Sequence, residues 1–366
     1  MEIQVARGTF AEEVSWVSRV IPQRPISPIL NGIFIETRHD GKMILSATDQ
    51  SAASSTIVDA DILIHGRIVV PGKLLALIAG SLPQKPVSLK ENGTKLTISC
   101  GRTEYTVPTL PIAEYPILPD QPDQIGTLAG EEFSDAVLQT VFAAAKDDTV
   151  PALAGTQIRC SETEITLIST DRYRLAVKKV PWTGQPREPF LLRARALADI
   201  AKPSSPNPVI LSLNPNSTLF GVTSGVRRST MPMLASQAFP DVERLIPTSG
   251  TTTVEVDISE LVDAVKRVRL VMDRPSQPIK LQFENGEILV SANSGPDASA
   301  SERVTAKIDG DDIEIAFNPE YLVEGLSALA GPMARFRFIG SSKPSLLDAP
   351  EDESYRHVLM PVRLSS

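Results

Sequence analysis

Apolar residues recur at helical spacing in three places along the chain, and these places lie about a third of its length apart. Each set of three puts its side chains on one face of a helix. In chain order the sets are Phe10, Val14 and Val17, then Phe133, Val137 and Val141, then Leu261, Val265 and Val268. The middle valines of successive sets are 137 − 14 = 123 and 265 − 137 = 128 residues apart. This spacing predicts three copies of one domain.

The segments after these helices predict antiparallel strands and then a second helix in every copy. The strand pairs read PILNGIFIET with KMILSATDQ, PALAGTQIRC with EITLISTDR, and PIKLQFENGEILVSANSG. The second helices read PGKLLALIAGSL, RARALADIAK and NPEYLVEGLSALAG. Asn92-Gly93, between two alternating segments, predicts a two-residue hairpin turn. The order of elements predicts an α+β fold in which two helices of each copy pack on antiparallel sheet.

Local signals predict where some helices begin and end. Thr9 and Glu12 have the spacing of a capping box at the start of the first helix. Asn318 followed by Pro319 predicts the start of the last helix, and Gly331 predicts its end.

Two proline-rich stretches, 109–122 and 231–247, separate the copies. Proline fixes its own φ and restricts the preceding residue, so both stretches should be extended. We therefore expect domains at 1–119, 123–247 and 250–366, each near the usual domain size.

The charge of the chain argues against simple attraction to nucleic acid. Its 366 residues include 36 basic and 44 acidic ones, for a formal net charge of −8. Any DNA contact therefore requires a separate basic face. No stretch approaches the ~20 apolar residues that span a bilayer, and no charged leader precedes an apolar run, so we expect a cytoplasmic protein. Two cysteines, Cys100 and Cys160, are too few for a disulfide framework, and we interpret both as strand residues.

Residues that would carry catalysis are not grouped in the sequence. His39, His65 and His357 have no second His or Cys at metal-ligand spacing. Lys343, in GSSKPS, lacks the paired glycines of a phosphate loop and predicts a turn. We therefore expect no cofactor, no metal and no catalysis. An enzyme whose site is assembled only by folding remains the alternative.

One segment, STDRYRLAV at 169–177, taken alone predicts a polar turn between two strands, with Thr170 and Asp171 closing an Asx-type turn. Together with FPDVERLIP and the terminal MPVRL, it resembles the bacterial DNA polymerase III beta subunit, the sliding-clamp family. RPISPILNGIFIE, PTLPIAEYP and IAFNPEYLVEGLSAL extend this resemblance over essentially the whole chain.

The resemblance implies a ring of two subunits arranged head to tail, with helices lining a hole that holds duplex DNA. Positions that match DNA-facing positions of the family are Arg24, Lys73, Lys146, Arg193, Lys202, Lys266 and Arg269, with Arg24 and Lys73 the first choices. The alternative is that these charges are the ordinary solvated faces of helices.

Ring closure in the family joins the first domain of one subunit to the third domain of the other. The matching positions are Leu74, Ile78, Leu82, Tyr105 and Val107, facing Leu270, Val271 and Met272. Tyr105 and Val107 would lie on an edge strand that continues the sheet into the partner. The alternative is that these apolar residues belong to the core of their own domain.

The family also implies a pocket for short partner peptides between the second and third domains. The implied partners are the polymerase alpha subunit and other polymerases, the clamp loader and repair proteins. The matching positions are Leu153, Thr170, Arg172, Tyr173, Arg174, Leu175, Pro240, Arg244, Leu245, Asn318, Tyr321, Val358, Leu359, Met360, Pro361, Val362, Arg363 and Leu364. Pro151-Ala152 and Arg172-Tyr173 depart from the family pattern, so a specialised second-copy clamp that tolerates inhibitors remains an alternative to the main clamp.

Overall fold

The computed structural model describes residues 1–201, 207–235, 239–247, 250–274, 277–294 and 298–363. The chain forms two compact units, and each is described by itself. The first unit comprises Met1–Glu131 and Asp199–Met233, and the second comprises Glu132–Ala198 and Leu234–Ser366. The middle third of the chain therefore contributes to both units.

The first third of the chain contains two helices and nine strands. These are β1 Glu2–Val5, α1 Arg7–Val17, β2 Gly32–Thr37, β3 Lys42–Thr48, β4 Ala53–Asp59, β5 Asp61–Ile64, β6 Arg67–Pro71, α2 Gly72–Ser81, β7 Val87–Asn92, β8 Lys95–Cys100 and β9 Thr103–Pro108. Phe10, Val14 and Val17 are fully buried, which confirms the predicted face of α1. The helices pack on two antiparallel sheets, β5-β1-β7-β8-β9 and β6-β2-β3-β4.

The middle third repeats this order. Its elements are β10 Asp123–Leu128, α3 Gly130–Val141, β11 Gly155–Cys160, β12 Glu164–Thr170, β13 Arg174–Pro181, β14 Thr183–Gly184, β15 Arg187–Arg193, α4 Ala194–Ala201, β16 Val209–Leu213, β17 Leu219–Ser224 and β18 Arg227–Leu234. Phe133 and Val137 are buried as predicted, and Val141 is half-buried. β18 includes the first four residues of the predicted 231–247 linker, so that linker starts later than expected.

The last third repeats the order once more. Its elements are β19 Thr252–Asp257, α5 Ile258–Val268, β20 Ile279–Glu284, β21 Glu287–Ser294, β22 Ala298–Gly310, β23 Ile313–Phe317, α6 Pro319–Ser327, β24 Met333–Phe338, β25 Ser345–Ala349 and β26 Asp352–Leu359. Leu261, Val265 and Val268 are buried in its core. Each third thus has two halves, and each half contains a strand, a helix and three strands, with one additional short strand, β5 or β14, between the halves of the first two thirds. The predicted α+β fold with antiparallel sheet is confirmed.

The predicted capping box at the start of α1 is wrong. The helix begins at Arg7, with Ala6 as N-cap and no side-chain cap. β1 ends at Val5, so the chain enters the helix through Ala6, and Thr9 already lies in the first turn. Its hydroxyl is therefore past the N-cap position.

The predicted N-cap of α6 is confirmed, but its predicted end is not. The side chain of Asn318 accepts a hydrogen bond from Glu320 N at 2.9 Å. The helix ends at Ser327 rather than at Gly331, because the N–H of Ala328 bonds back to Gly325 O and tightens the last turn.

The predicted hairpin turn between β7 and β8 is displaced by one residue. Asn92 pairs with Lys95, so the two-residue loop consists of Gly93 and Thr94. Gly93 has a φ of 60°, which fits a loop with glycine at its first central position.

Successive copies are joined edge to edge at two places. In the first joint, β18 pairs antiparallel with β4, and Thr230 lies opposite Ala53. In the second joint, β26 pairs antiparallel with β13, and Val358 lies opposite Leu175. Both joints place the last strand of one copy on the last strand of the first half of the preceding copy. The first joint belongs to the first unit and the second joint to the second unit.

Candidate peptide-binding site and DNA-facing residues

An apolar cluster covers one face of the second joint, and we call it the Leu175 cluster. Its buried members are Ile168, Leu175, Val177, Val242, Leu346 and Val358, with Phe239 and Ile246 partly buried against them. Three separate segments meet there: the β12–β13 hairpin, the stretch 239–247, and the β25–β26 hairpin. The sequence pointed to Leu175 and Val358 and missed the other six. Period-two alternation from Leu175 to Val177 was the available signal for Val177.

The turn between β12 and β13 is the Asx-type turn predicted from the sequence. Asp171 Oδ1 accepts hydrogen bonds from the backbone N–H groups of Tyr173 at 2.9 Å and Arg174 at 3.0 Å. The hydroxyl of Thr170 donates to Arg174 O at 2.7 Å. Arg172 adopts a φ of 79°, in the left-handed region. The turn exposes Tyr173, at 62 % of its surface, and directs Arg174 inward.

Arg174 is a buried arginine, and each of its three side-chain nitrogens donates a hydrogen bond. Its Nε lies 3.0 Å from Asp171 Oδ2, one terminal nitrogen donates to Glu324, and the other donates to Phe142 O. Its guanidinium also lies 4.2 Å from the centre of the Tyr321 ring. Burial removes most of the hydration of the guanidinium, so its charge is stabilised by these partners instead. The arginine therefore fastens α6 to the turn before β13.

His357 precedes Val358 on β26, so its side chain lies on the face of the sheet opposite to the Leu175 cluster, where it is fully buried. Burial, assisted by the charge of Arg174, lowers its pKa to about 3, so the ring is neutral at neutral pH. Its Nδ1 lies 3.5 Å from the Tyr355 hydroxyl, and its Nε2 has no partner among the described residues. A Cβ at Gly325 would lie 2.5 Å from the His357 ring, so glycine allows α6 to pack closely here.

The end of the chain forms part of the same site. Met360 N donates to Tyr173 O at 2.9 Å, and Val362 N donates to Ala316 O at 2.8 Å. Leu359 is buried, Met360 and Pro361 are half-buried, and Val362 and Arg363 are exposed. These bonds hold the tail against the second unit through Val362. The predicted residue Leu364 lies outside the described residues.

The remaining predicted pocket residues surround the cluster less uniformly. Leu153 is buried but is not a member of the Leu175 cluster, and Pro240 is exposed. Arg244 is exposed, with its Nε 3.4 Å from Asp241. Leu245 is 38 % exposed, which leaves an apolar group free at the edge of the cluster.

The predicted DNA-facing residues fall into two groups. Arg24 and Lys73 are exposed, and Lys73 Nζ donates to Pro22 O at 2.7 Å, two residues before Arg24. Lys266 and Arg269 are exposed on α5 and just after it, and Lys266 Nζ lies 4.0 Å from Asp263 Oδ1. The structure therefore leaves these four side chains at the surface.

Two other members of the set are paired with carboxylates. Lys146 Nζ lies 2.7 Å from Glu320, and the hydrogen bond to that carboxylate raises the pKa of Lys146. Arg193 forms an ion pair with Asp148. Their positive charge is thus partly neutralised within the chain. Lys202 lies outside the described residues.

The predicted interface residues differ in how far the single chain buries them. Ile78, Leu82 and Val107 are buried in the core of the first unit, so they are core residues of the single chain. Leu74 and Leu270 are 43 % and 80 % exposed. Tyr105, Val271 and Met272 are partly buried against their own cores.

Sequence reasoning missed Leu77. It lies on α2 three residues after Leu74 and is 74 % exposed. Residues three apart share a helix face, so the run Leu74-Leu75-Ala76-Leu77 carried the signal. Leu75, on the opposite face, is fully buried.

No cluster of three or more His, Cys, Asp or Glu side chains could hold a metal ion among the residues that the structure describes. Cys100 and Cys160 are buried strand residues that form no disulfide bond. Burial raises the pKa of the Cys160 thiol to about 12, which keeps it protonated. Over the described part of the chain, no helix has the length and apolar character needed to cross a membrane.

Three joined copies of an α+β domain, with an apolar cluster able to take a short peptide, are the features of a binding scaffold. Sequence models of the N-terminal, central and C-terminal domains of the DNA polymerase III beta subunit match residues 1–119, 127–241 and 243–363. The beta sliding clamp of Streptomyces coelicolor is 40 % identical, with both chains covered in full. The beta sliding clamp homolog GriR of Streptomyces muensis is 34 % identical over 99 % of each chain.

Solved structures agree on the fold. The sliding clamp of Pseudomonas aeruginosa bound to griselimycin superposes with a TM-score of 0.90 at 24 % identity, with both chains covered in full. The chain therefore belongs to the DNA polymerase III beta subunit family, the bacterial sliding clamps. Its function is that of this family, a non-catalytic processivity factor that encircles DNA as a homodimer and binds polymerase and other proteins. The resemblance seen in the sequence is confirmed, and the enzyme alternative is set aside.

Proposed function

We propose that this chain is the replicative clamp of its cell and works in the cytoplasm. Two copies close around duplex DNA, and the Leu175 cluster holds short peptides of the polymerase, the clamp loader and repair proteins. The domains that take these roles are 1–119, 123–247 and 250–366. Ring closure, DNA contact and peptide capture are assigned to different residues, so each can be tested separately.

The edge-to-edge joints carry the proposal. β18 pairs with β4 and β26 pairs with β13, so each copy offers its last strand to the preceding copy. Within the described residues, β9 pairs only with β8, and residues 298–305 of β22 pair only with β21. In the pattern of the two joints, the last strand of one copy pairs with the last strand of the first half of the preceding copy. β9 and β22 occupy these two positions without such a partner in the described chain. Pairing β9 of one chain with β22 of a second would close the ring head to tail and cover both edges.

Exposed leucines support the same closure. Leu74 and Leu77 lie on α2, in the half that ends in β9, and Leu270 follows α5, in the half that ends in β22. Apolar side chains this exposed favour burial against a partner. We therefore assign these three leucines, with the β9 and β22 edges, to the interface between chains.

DNA contact is assigned first to Arg24 and Lys73. Both are exposed, and their proximity through Pro22 makes a small basic surface in a chain of net charge −8. A few phosphate contacts give weak, salt-sensitive attraction, which suits a ring that must slide. Sequence readout is not needed, because phosphate contacts carry no base information.

Peptide capture is assigned to the Leu175 cluster. Leu245 and Val362 are partly exposed beside it, and Tyr173 projects from the turn that precedes β13. A short peptide with an apolar anchor could bury that anchor against these side chains. The polar backbone of the 360–363 tail lies at the same site.

A solution mass combined with retention on DNA tests the proposal. Light scattering should give twice the 39.5 kDa of one chain. Loaded protein should stay on nicked circular DNA and leave when that DNA is linearised, since topology holds it. A monomer at micromolar concentration, or equal loss from circular and linear DNA, would contradict the proposal.

The basic surface can be tested in the same assay. Replacing both Arg24 and Lys73 with Glu should reduce the dependence of DNA association on log salt by about two, one for each phosphate contact. Lys95→Glu, at an exposed lysine on β8, is the matched control and should leave that dependence near its original value. If both proteins keep the wild-type slope, the DNA assignment is wrong.

A specialised second-copy clamp is the other candidate, and the feature that favours it is Pro151-Ala152. Ala152 is buried, with a small side chain where the family pattern has bulky ones. Griselimycin separates the two candidates. Binding as tight as that of the P. aeruginosa clamp supports the main clamp, whereas binding at least a hundredfold weaker supports the specialised one.

A further inference from the structure

The first joint contains the same turn as the second, although its sequence differs. The hydroxyl of Thr48 donates to Ala52 O at 2.7 Å, as that of Thr170 does to Arg174 O. Asp49 Oδ1 accepts from the backbone N–H groups of Ser51 at 2.8 Å and Ala52 at 2.7 Å, as Asp171 does in the second joint. Gln50 has a φ of 71°, close to the 79° at Arg172. The two turns therefore align residue by residue, and β4 corresponds to β13.

This alignment identifies the counterpart of the Leu175 cluster. Ala53 corresponds to Leu175, and its strand partner Thr230 corresponds to Val358. Ser55 corresponds to Val177, and its partner Ser46 corresponds to Ile168. Small and polar side chains thus replace four large apolar ones. We call this surface of the first joint the Ala53 groove.

A cavity of about 600 Å³ lies at the Ala53 groove, and its volume is in the range of sites for small ligands. The proline-rich stretch that contains Tyr115 forms one wall, and Phe34 stacks on Tyr115 with ring centres 5.4 Å apart. The Tyr115 hydroxyl donates to Ser46 O at 3.1 Å and fixes the wall to the sheet. Ile44 and Ile112 also line the cavity. Because its floor residues are small, the groove has room for a large side chain.

One exposed and one buried polar group at the cavity lack a charged or hydrogen-bonding partner among the described residues. Arg228 lines it, is exposed, and has no carboxylate of the described residues within ion-pair distance. The side-chain nitrogen of Gln121 is buried there without a hydrogen-bond partner among those residues. Glu36 already pairs with Arg67 at 3.9 Å. A carbonyl oxygen would satisfy Gln121, and a carboxylate would pair with Arg228.

We propose that the Ala53 groove is a second peptide-binding site, which takes an extended segment carrying an aromatic anchor next to an acidic residue. The anchor occupies the space above Ala53 and Ser46 beside the Phe34–Tyr115 stack. The neighbouring carboxylate pairs with Arg228, and a peptide carbonyl accepts from Gln121. This site lies in the first unit and shares no residue with the Leu175 cluster, so it extends the proposed function.

Methyl NMR on the full chain tests this proposal. The probe is acetyl-Phe-Asp-Gly-amide, and the charge-reversed control is acetyl-Phe-Lys-Gly-amide. The methyl groups of Ile44 and Ile112 report on the Ala53 groove, and those of Ile168 and Ile246 report on the Leu175 cluster in the same spectrum. We expect the acidic probe to shift the first pair in a saturable way and to bind at least about tenfold more tightly than the control.

Two variants sharpen the test. Arg228→Glu changes an exposed residue and should fold normally, yet weaken the acidic probe by about tenfold or more. Ala53→Leu with Ser55→Val rebuilds the residues of the second joint and should fill the cavity, which removes the response. Arg244→Glu, at the exposed arginine of the other site, is the matched control and should leave the Ile44 response unchanged.

Several results would overturn the proposal. These are a response confined to Ile168 and Ile246, equal binding of the two probes, and an Arg228→Glu variant that binds like wild type. A response to acetyl-Phe-amide as strong as to the acidic probe would also overturn it, because the groove would then be a site for small aromatic molecules. None of these results bears on ring closure or on DNA retention.

Discussion

The two joints between copies have the same backbone geometry, but each contains a different arginine paired with carboxylates. In the second joint Arg174 comes from the turn before β13 and pairs with Asp171 and Glu324. In the first joint the equivalent turn residue is Ala52. The paired cation is instead Arg227 on β18, which is partly buried and pairs with Glu12 and Glu13.

The surroundings of Arg227 show how the first joint is stabilised. Glu13 is buried, and its carboxylate accepts hydrogen bonds from the Thr56 hydroxyl at 2.8 Å and from Arg227 Nε at 3.0 Å. The guanidinium lies 5.4 Å from the Trp16 ring. Burial lowers the pKa of Arg227, but the hydrogen bonds and charges of Glu13 and Glu12 outweigh this and raise it. Each joint therefore contains an arginine paired with two carboxylates, and the two arginines come from opposite strands of the joint.

The difference between the joints decides what each can bind. The second joint presents an apolar surface, formed by Leu175, Val177 and Val358. The first joint instead has a groove lined at the matching positions by the small or polar side chains of Ala53, Ser55 and Thr230. Backbone geometry thus fixes where a binding surface forms. A few side chains at matching register positions then determine its chemistry.

The largest effect is expected from Arg174→Ala. This change leaves Asp171 and Glu324 beside each other without their cation, and should lower the free energy of unfolding by about 3–5 kcal/mol. Urea denaturation measures it, with Arg172→Ala as the matched control at an exposed neighbour, expected within about 0.5 kcal/mol of wild type. A loss under about 1 kcal/mol would mean that the ion pairs are not what stabilises the second joint.

The second joint should also respond to acid in a way that the first does not. The folded pKa of His357 is about 3, below its ordinary value of 6.5, so the unfolded chain binds the proton first. The resulting stability is fully present above pH 6.5 and is lost as pH falls toward 3. His357→Phe keeps a buried ring that cannot titrate and should reduce the loss between pH 6.5 and 4 by about 2–3 kcal/mol.

The matching position in the first joint offers the control for this pH effect. Ser229 occupies it, with its hydroxyl 3.1 Å from that of Ser54. Ser229→Ala should leave the pH dependence of unfolding as it is in wild type. Identical pH profiles for wild type and His357→Phe would show that His357 does not bring about the acid sensitivity.

Removal of the tail tests whether the second joint needs its last segment to bind peptide. A chain that ends at Leu359 lacks residues 360–366 and the bonds to Tyr173 O and Ala316 O. A peptide anchor that loses ~100 Å² of burial would lose about 2.5 kcal/mol, or nearly a hundredfold in affinity. A fluorescent peptide with a Gln and a Leu-Phe anchor measures this, and light scattering should still show a dimer. Full-strength binding by the shortened chain would refute the pocket assignment.

The smallest effect is expected at the proposed interface between two chains, where β9 of one chain would pair with β22 of the other. Leu77→Arg puts a charge at an exposed leucine of α2 and should raise the dimer dissociation constant by about tenfold or more while the melting temperature stays near wild type. Leu63→Arg, at a leucine 59 % exposed on β5, is the matched control. Ile78→Arg is a different test, because Ile78 is 6 % exposed and its change would disrupt the core itself. Equal dimer strength in the Leu77 and Leu63 variants would remove α2 from the interface.

Much of the fold could be predicted from local pattern. The apolar faces of α1 and α5, the N-cap at Asn318 and the turn at Asp171 depend on residues only a few positions apart, and all were confirmed. The turn at Asp49 in the first joint could have been predicted in the same way, since Thr48-Asp49 repeats Thr170-Asp171 at the end of a strand. Its equivalence to the turn at Asp171 lies in the backbone hydrogen bonds, which the two sequences do not show.

The sequence by itself determined the three copies, the α+β class and the family, because these follow from periodicity and from motifs that are contiguous in the chain. Only the tertiary structure decided that Ile78 belongs to the core while Leu77 is exposed, since both fit an apolar helix. It alone joined Arg174 to Glu324, 150 residues away. Partners so distant leave no local pattern, because their contact depends on how complete strands and helices pack against one another.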